Sequence, residues 1–149
     1  TINGVFYNYV FDEILYTTGS PTGFIFQQLK ENNYKTGEPL YSEHDKTIIR
    51  ELRQLGVTAL LALKGPNSVE PGVLFLRSKK CAYTKRSKNI AEEVGRYSFL
   101  KNRDDTDSNK PEDRFNHAMD ACRYAAFTHA VRTGKISLHA NVEKENIYA

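Results

Sequence analysis

FNHAMDACRYA, residues 115–125, sets a histidine and an aspartate three positions apart among alanines, a methionine, a cysteine and two aromatics. Residues three apart on a helix share a face, so His117 and Asp120 stand side by side on a segment otherwise suited to a core. The pattern predicts a helix from about Asp113 to Arg132, stopped at Gly134. Phe115, Met119, Cys122 and Ala126 form its apolar stripe. Asp113, His117, Asp120 and Tyr124 recur at i, i+4, i+7 and i+11 and line the polar side. Such a row is either the wet side of an amphipathic helix or a set of groups that can meet a metal ion.

Working outward, VTALLAL (57–63) is a continuous apolar run, the pattern of a strand buried on both faces in a partly parallel sheet. DKTIIRELRQLG before it reads as a helix with Ile48, Leu52 and Leu55 as its stripe and Gly56 as its stop. Nearer the start, VFYNYVFDEILYTTG predicts one or two strands, TGFIFQQLKENN a helix, YKTGEPL a turn and LYSEH a short strand. After the apolar run, KGPNSVEPG reads as a loop. VLFLRSKKCAYTKRS reads as an apolar segment followed by a basic strand or hairpin. NIAEEVGRY reads as a short helix, with Asn89 and Glu92 spaced as a capping box. Residues 101–112 hold no apolar residue and read as a solvated, mobile loop. Strands alternate with helices, so the class is α/β with a mixed sheet, a domain over 1–134 and a poorly ordered tail over 135–149.

The 149 residues suit one domain with a real core. No apolar run approaches the ~20 residues of a membrane helix, and TINGVFYNYVF has no basic region of a signal peptide. A start at Thr1 without Met reads as an excised or processed chain. Cys81 and Cys122 have no metal-type spacing and read as reduced thiols of a cytoplasmic protein. The net charge of +3 permits a nucleic-acid partner without demanding one. No G-x-x-x-x-G-K-[ST] occurs, so no P-loop ATPase is expected within these residues.

LYSEHDK puts Glu43 at the end of a short strand. In α/β sheets, ligands gather beyond the carboxyl ends of strands. Hard divalent cations take carboxylate oxygens from separate elements, with water completing the shell. Glu43 and Asp120 can supply such a pair. Alternatively, Glu43 is an acidic residue placed favourably near a helix N-terminus.

The order DEILY, YSEHDKTIIRELRQLGV, LALKGPNSVEPGV, a basic strand, EEVGRYSF, a polar loop and NHAMDACRYA resembles the C-terminal nuclease domain of the tailed-bacteriophage large terminase subunit, from about Asp12 to Arg132. The resemblance implies an RNase H-like mixed sheet flanked by helices, and an endonuclease that cuts concatemeric viral DNA by two-metal phosphodiester hydrolysis with Mg²⁺ or Mn²⁺. Glu43 matches the acidic residue at the end of the fourth strand. Asp120 matches the helical metal-binding aspartate, and His117 a residue that ligates or flanks the second metal. The family's first catalytic aspartate, on the central strand before a glycine-containing turn, has no match. The resemblance therefore implies an N-terminally truncated domain, with Asp12 the only early acidic strand residue able to substitute.

Implied partners are double-stranded DNA, the ATPase domain of the same large subunit, the small terminase subunit and the portal, in the host cytoplasm and without a membrane. Lys64 after the apolar strand reads as a contact to the scissile phosphate or as a snorkelling surface lysine. Lys79, Lys80, Lys85, Arg86 and Lys88, with Tyr83 among them, read as a grip on the DNA backbone or as charge guarding a sheet edge. Beside the endonuclease stand two other readings. One is a catalytically incomplete RNase H-like fragment that binds DNA or packaging partners. The other is a different RNase H-like enzyme, such as a transposase or junction resolvase.

Overall fold

The computed structural model describes residues 1–43, 45–63, 66–96, 99–101, 107–111 and 116–136. In chain order the elements are β1 (Tyr9–Phe11), α1 (Thr22–Glu31), β2 (Pro39–Ser42), α2 (Lys46–Gln54), β3 (Thr58–Leu61), α3 (Pro66–Arg77), β4 (Cys81–Tyr83), α4 (Lys88–Arg96), β5 (Phe99–Lys101), β6 (Asp107–Pro111) and α5 (His117–Arg132). The α/β alternation is as expected. Among the described residues the strands hydrogen-bond in pairs: β1 with β4 and β2 with β3, both parallel, and β5 with β6, antiparallel.

The core is built around β3. In α2, the Asp45 carboxylate accepts the amides of Thr47 (3.0 Å) and Ile48 (3.1 Å), satisfying donors that a helix start leaves open. At the other end Gly56 takes φ +90°, which a side chain would resist. Gly56 N–H reaches Arg53 O at 3.0 Å and Val57 N–H reaches Leu52 O at 3.0 Å, the paired bonds of a Schellman stop. That turn feeds the chain straight into β3, whose Ala59 and Leu61 are buried with Ile49, Leu52 and Val57. Thr58 and Leu60 are half-buried, so one face of the strand is sealed and the other partly covered. The run continues into Leu63, which packs on Phe127 of α5.

Several local expectations are corrected. The buried face of α2 is Ile49 and Leu52, while Leu55 is 44% exposed, because α2 meets the β2–β3 pair one position round from the expected stripe. The expected loop 64–72 contributes most of its length to α3. Pro66 fits the first helical position, where no amide is needed, and packing of the helix against α5 outweighs the interior Pro71. Residues 107–111, expected in a loop, form β6. Helix α4 begins at Lys88, ahead of the expected Asn89 cap, and its first turn is capped from β1's exit: Glu13 accepts the Ile90 amide at 3.0 Å and the Asn89 side-chain amide at 2.8 Å. Helix α5 buries more of its girth than one stripe, since Tyr124, Thr128 and Arg123 are as buried as Cys122 and Ala126 while Met119 is half-buried. Phe115 and Asp113 lie outside the described residues. No described helix is long and apolar enough to cross a membrane.

Candidate metal centre

Helix α5 packs against β2, α3 and α4, and this places its N-terminal half at the carboxyl end of β2. Two side-chain bonds fix it there. Buried Thr128 accepts the Leu63 amide at 2.9 Å, and the Tyr41 hydroxyl of β2 meets His129 Nδ1 at 2.7 Å. Glu43, one residue beyond β2, is thereby set beside α5, where the Tyr124 hydroxyl donates to its Oε1 at 3.0 Å. Asp120 lies one turn before Tyr124 and is half-buried. Its Oδ1 accepts from Arg123 Nη2 at 3.3 Å.

Electrostatics tie the two carboxylates together. Burial raises the Asp120 carboxyl above its ordinary value, and the charge of Glu43 raises it further, while Arg123 and His117 oppose the rise. The Tyr124 hydroxyl is pushed up to about 12 by burial and by its bond to Glu43. A divalent cation placed between these carboxylates relieves their repulsion, and hard oxygen donors from two elements suit Mg²⁺ or Mn²⁺. Among the described residues, no three His, Cys, Asp or Glu side chains group closely enough to hold an ion by themselves.

His117 is exposed. Its charge reaches Asp120, but its side chain lines a groove of about 780 Å³ with Asp12, Glu13, Tyr16 and Ala121. Neither acid in that groove stands idle: Glu13 caps α4, and Asp12 accepts from Thr84 (2.6 Å) and from Nε (2.7 Å) and Nη2 of Arg86. Arg86 pulls the Asp12 carboxyl down to about 2, with Thr84 helping. Arg86 also donates to Asn32 at 2.9 Å.

The expected basic segment divides between the two ends of β4. Lys79 and Lys80 precede it, over the rings of Phe75 and Tyr7. Lys85, Arg86 and Lys88 follow it and are exposed. Lys64 lies outside the described residues. Arg123 is a member of the site that the sequence reading passed over; its place three residues after Asp120 on the same helix was the available signal.

No family model matches the chain, nor does any curated protein. Among solved structures it matches the g2p (large terminase) nuclease domain from the bacteriophage SPP1, solved with bound Mn, at TM-score 0.62 and 24% identity. The chain has the fold of that nuclease domain. The match covers 72% of this chain and 63% of the SPP1 domain, so the chain spans less than two thirds of it. The RNase H-like class expected from NHAMDACRYA and the order of elements is thus the class observed, with five helices and short parallel strands among the described residues.

Proposed function

We propose that this chain is a metal-dependent endodeoxyribonuclease domain of a phage DNA-packaging terminase, cutting concatemeric viral DNA in the host cytoplasm. The observation that carries the reading is the convergence of Glu43 and Asp120, from the end of β2 and from α5, on a fold shared with a terminase nuclease domain. Glu43 and Asp120 would hold Mg²⁺ or Mn²⁺. When bound, such an ion supplies Lewis acidity toward a phosphodiester and makes a bound water more acidic. The chain's own part is to fix the two carboxylates, Glu43 through the Tyr124 hydroxyl and Asp120 through Arg123. His117, exposed one turn before Asp120 on α5, would flank the ion rather than complete its carboxylate pair. Lys64, Lys79, Lys80, Lys85, Arg86 and Lys88 serve the DNA backbone, which they contact without reading sequence. The ATPase domain of the same subunit, the small subunit and the portal complete the proposed partners.

A plasmid-nicking assay with Mn²⁺ and with Mg²⁺ tests this. With the family's first catalytic aspartate unmatched, nicking should be slow, depend on metal, stop in chelator, and be lost in Asp120→Asn and Glu43→Gln. Undiminished cutting by Asp120→Asn would refute the assignment. A second reading, an RNase H-like module that binds DNA or packaging proteins without cutting it, is favoured by the lack of a three-ligand group among the described residues. DNA binding without nicking would select it.

A further inference from the structure

Two neighbouring residues of α5 each hold one of the carboxylates. Arg123 donates to Asp120 and Tyr124 donates to Glu43. They also hold each other, because the Arg123 guanidinium carbon lies 4.6 Å from the centre of the Tyr124 ring. Arg123 is deeply buried for an arginine, its side chain 5% exposed. Its Nε has no hydrogen-bond partner among the described residues. Burying a cation with an unpaired donor is costly, so core stability alone is a poor reason for its position. The position is enforced from α3: a β-carbon on Gly72 would stand 2.9 Å from Arg123 Cγ and 3.0 Å from Cδ. A side chain at position 72 would press on the aliphatic stem of Arg123 and shift it, so glycine leaves the stem room to pass α3 on its way to Asp120 and the Tyr124 ring.

We propose that Arg123 and Tyr124 are positioning residues that set the orientation of Asp120 and Glu43 for a divalent cation, with Gly72 as the gap that admits Arg123. This rests on the reading of Glu43 and Asp120 as metal-binding groups. Groups that hydrogen-bond metal-binding carboxylates typically change metal affinity 10–100-fold when removed. Tyr124 reaches Glu43 from one residue past Arg123, so the ring is braced from the side by the guanidinium and from the end by the carboxylate. Disturbing Arg123 from α3 should therefore be felt at Glu43, although α3 supplies neither carboxylate.

The test is an Mn²⁺ titration followed by electron paramagnetic resonance of the free ion, on wild type, Tyr124→Phe, Gly72→Ala and Asp120→Asn, with metal-free melting curves of each. Tyr124→Phe should bind Mn²⁺ about tenfold more weakly, and Gly72→Ala should weaken it in the same direction, while both still melt cooperatively. Tyr124→Phe binding Mn²⁺ as tightly as wild type overturns the proposal, whatever its melting temperature, because a purely structural tyrosine would change stability and leave affinity alone. If Gly72→Ala fails to fold, Tyr124→Phe decides. If Asp120→Asn also binds like wild type, the metal-binding reading itself fails and takes the proposal with it.

Discussion

Thr128 accepts the Leu63 amide through its Oγ1 at 2.9 Å, and neither residue is reached by solvent to more than 1%. This one bond ties the exit of β3 to the C-terminal half of α5. Thr128→Val keeps the shape and strands the amide, so it should cost about 1–3 kcal/mol in urea unfolding. Thr128→Ser should recover most of that. An unchanged midpoint for Thr128→Val would show that the amide finds another acceptor.

Glu93 of α4 is 4% exposed and takes two donors, the Tyr16 hydroxyl at 3.0 Å and the Met119 amide at 2.9 Å. Met119 lies in the first turn of α5, where amides lack partners within the helix. Glu93→Gln turns one acceptor into a donor facing a donor and should destabilise by about 1–3 kcal/mol. A melting curve identical to wild type would remove Glu93 from the capping of α5.

Asp120 is the counter-ion of buried Arg123, and Asn keeps its shape without the charge. Asp120→Asn should lower the metal-free melting temperature at neutral pH, because it leaves the Arg123 cation buried and uncompensated. Mn²⁺ should raise the melting temperature of wild type and leave the variant where it was. Equal shifts in both would place the ion elsewhere.

The Asp12 carboxyl is held at about 2 by Arg86 and Thr84, below its ordinary 3.8. A lowered acid contributes stability that is present above the ordinary value and lost as the pH falls through the folded one. Wild type should therefore lose a small increment between about pH 4 and pH 2 that Asp12→Asn never had. The increment is small because the pair is exposed. Acid titrations of the two proteins that superimpose would argue against the pair.

Arg86 carries its own counter-ion and Lys85 does not stand in that pair. In fluorescence anisotropy on duplex DNA, Lys85→Ala should lower the salt slope by about 1, and Arg86→Ala by less. Asp12→Asn, which leaves the guanidinium uncompensated, should tighten binding to every sequence alike. If Arg86→Ala proves the more damaging, Arg86 leaves Asp12 to meet the phosphate.

What was legible in the sequence was whatever short-range spacing encodes. The Gly56 stop, the buried run at 57–63 and the helix through Asp120 follow from periodicity and turn chemistry over a few residues. Glu43 was legible as a strand-end acid, and its companion as a helical one. The register of burial was not: Ile49 replaces Leu55 because the facing strands, not the helix, choose the side. Helix α3 was hidden because Pro71 and Gly72 signal a break, and only the packing of α3 on α5 overrides them. Glu13 and Glu93 could not be read as caps, since each caps a helix remote in sequence from itself or from its own element. Arg123 was masked by its type, an arginine on a helix ordinarily facing water.

The caps of α4 and α5 have a consequence for how the molecule comes apart. Glu13 closes the start of α4, and Tyr16 binds the Glu93 that closes the start of α5. The short stretch 12–16 thus acts as a latch on two later helices. A protease nick or a loosening there should fray the beginning of α5 first, and with it the turn carrying Asp120, before the β2–β3 core melts. In hydrogen exchange the amides of Ile90 and Met119 should open together, as one cooperative unit, although nothing in the linear order of the chain makes them neighbours.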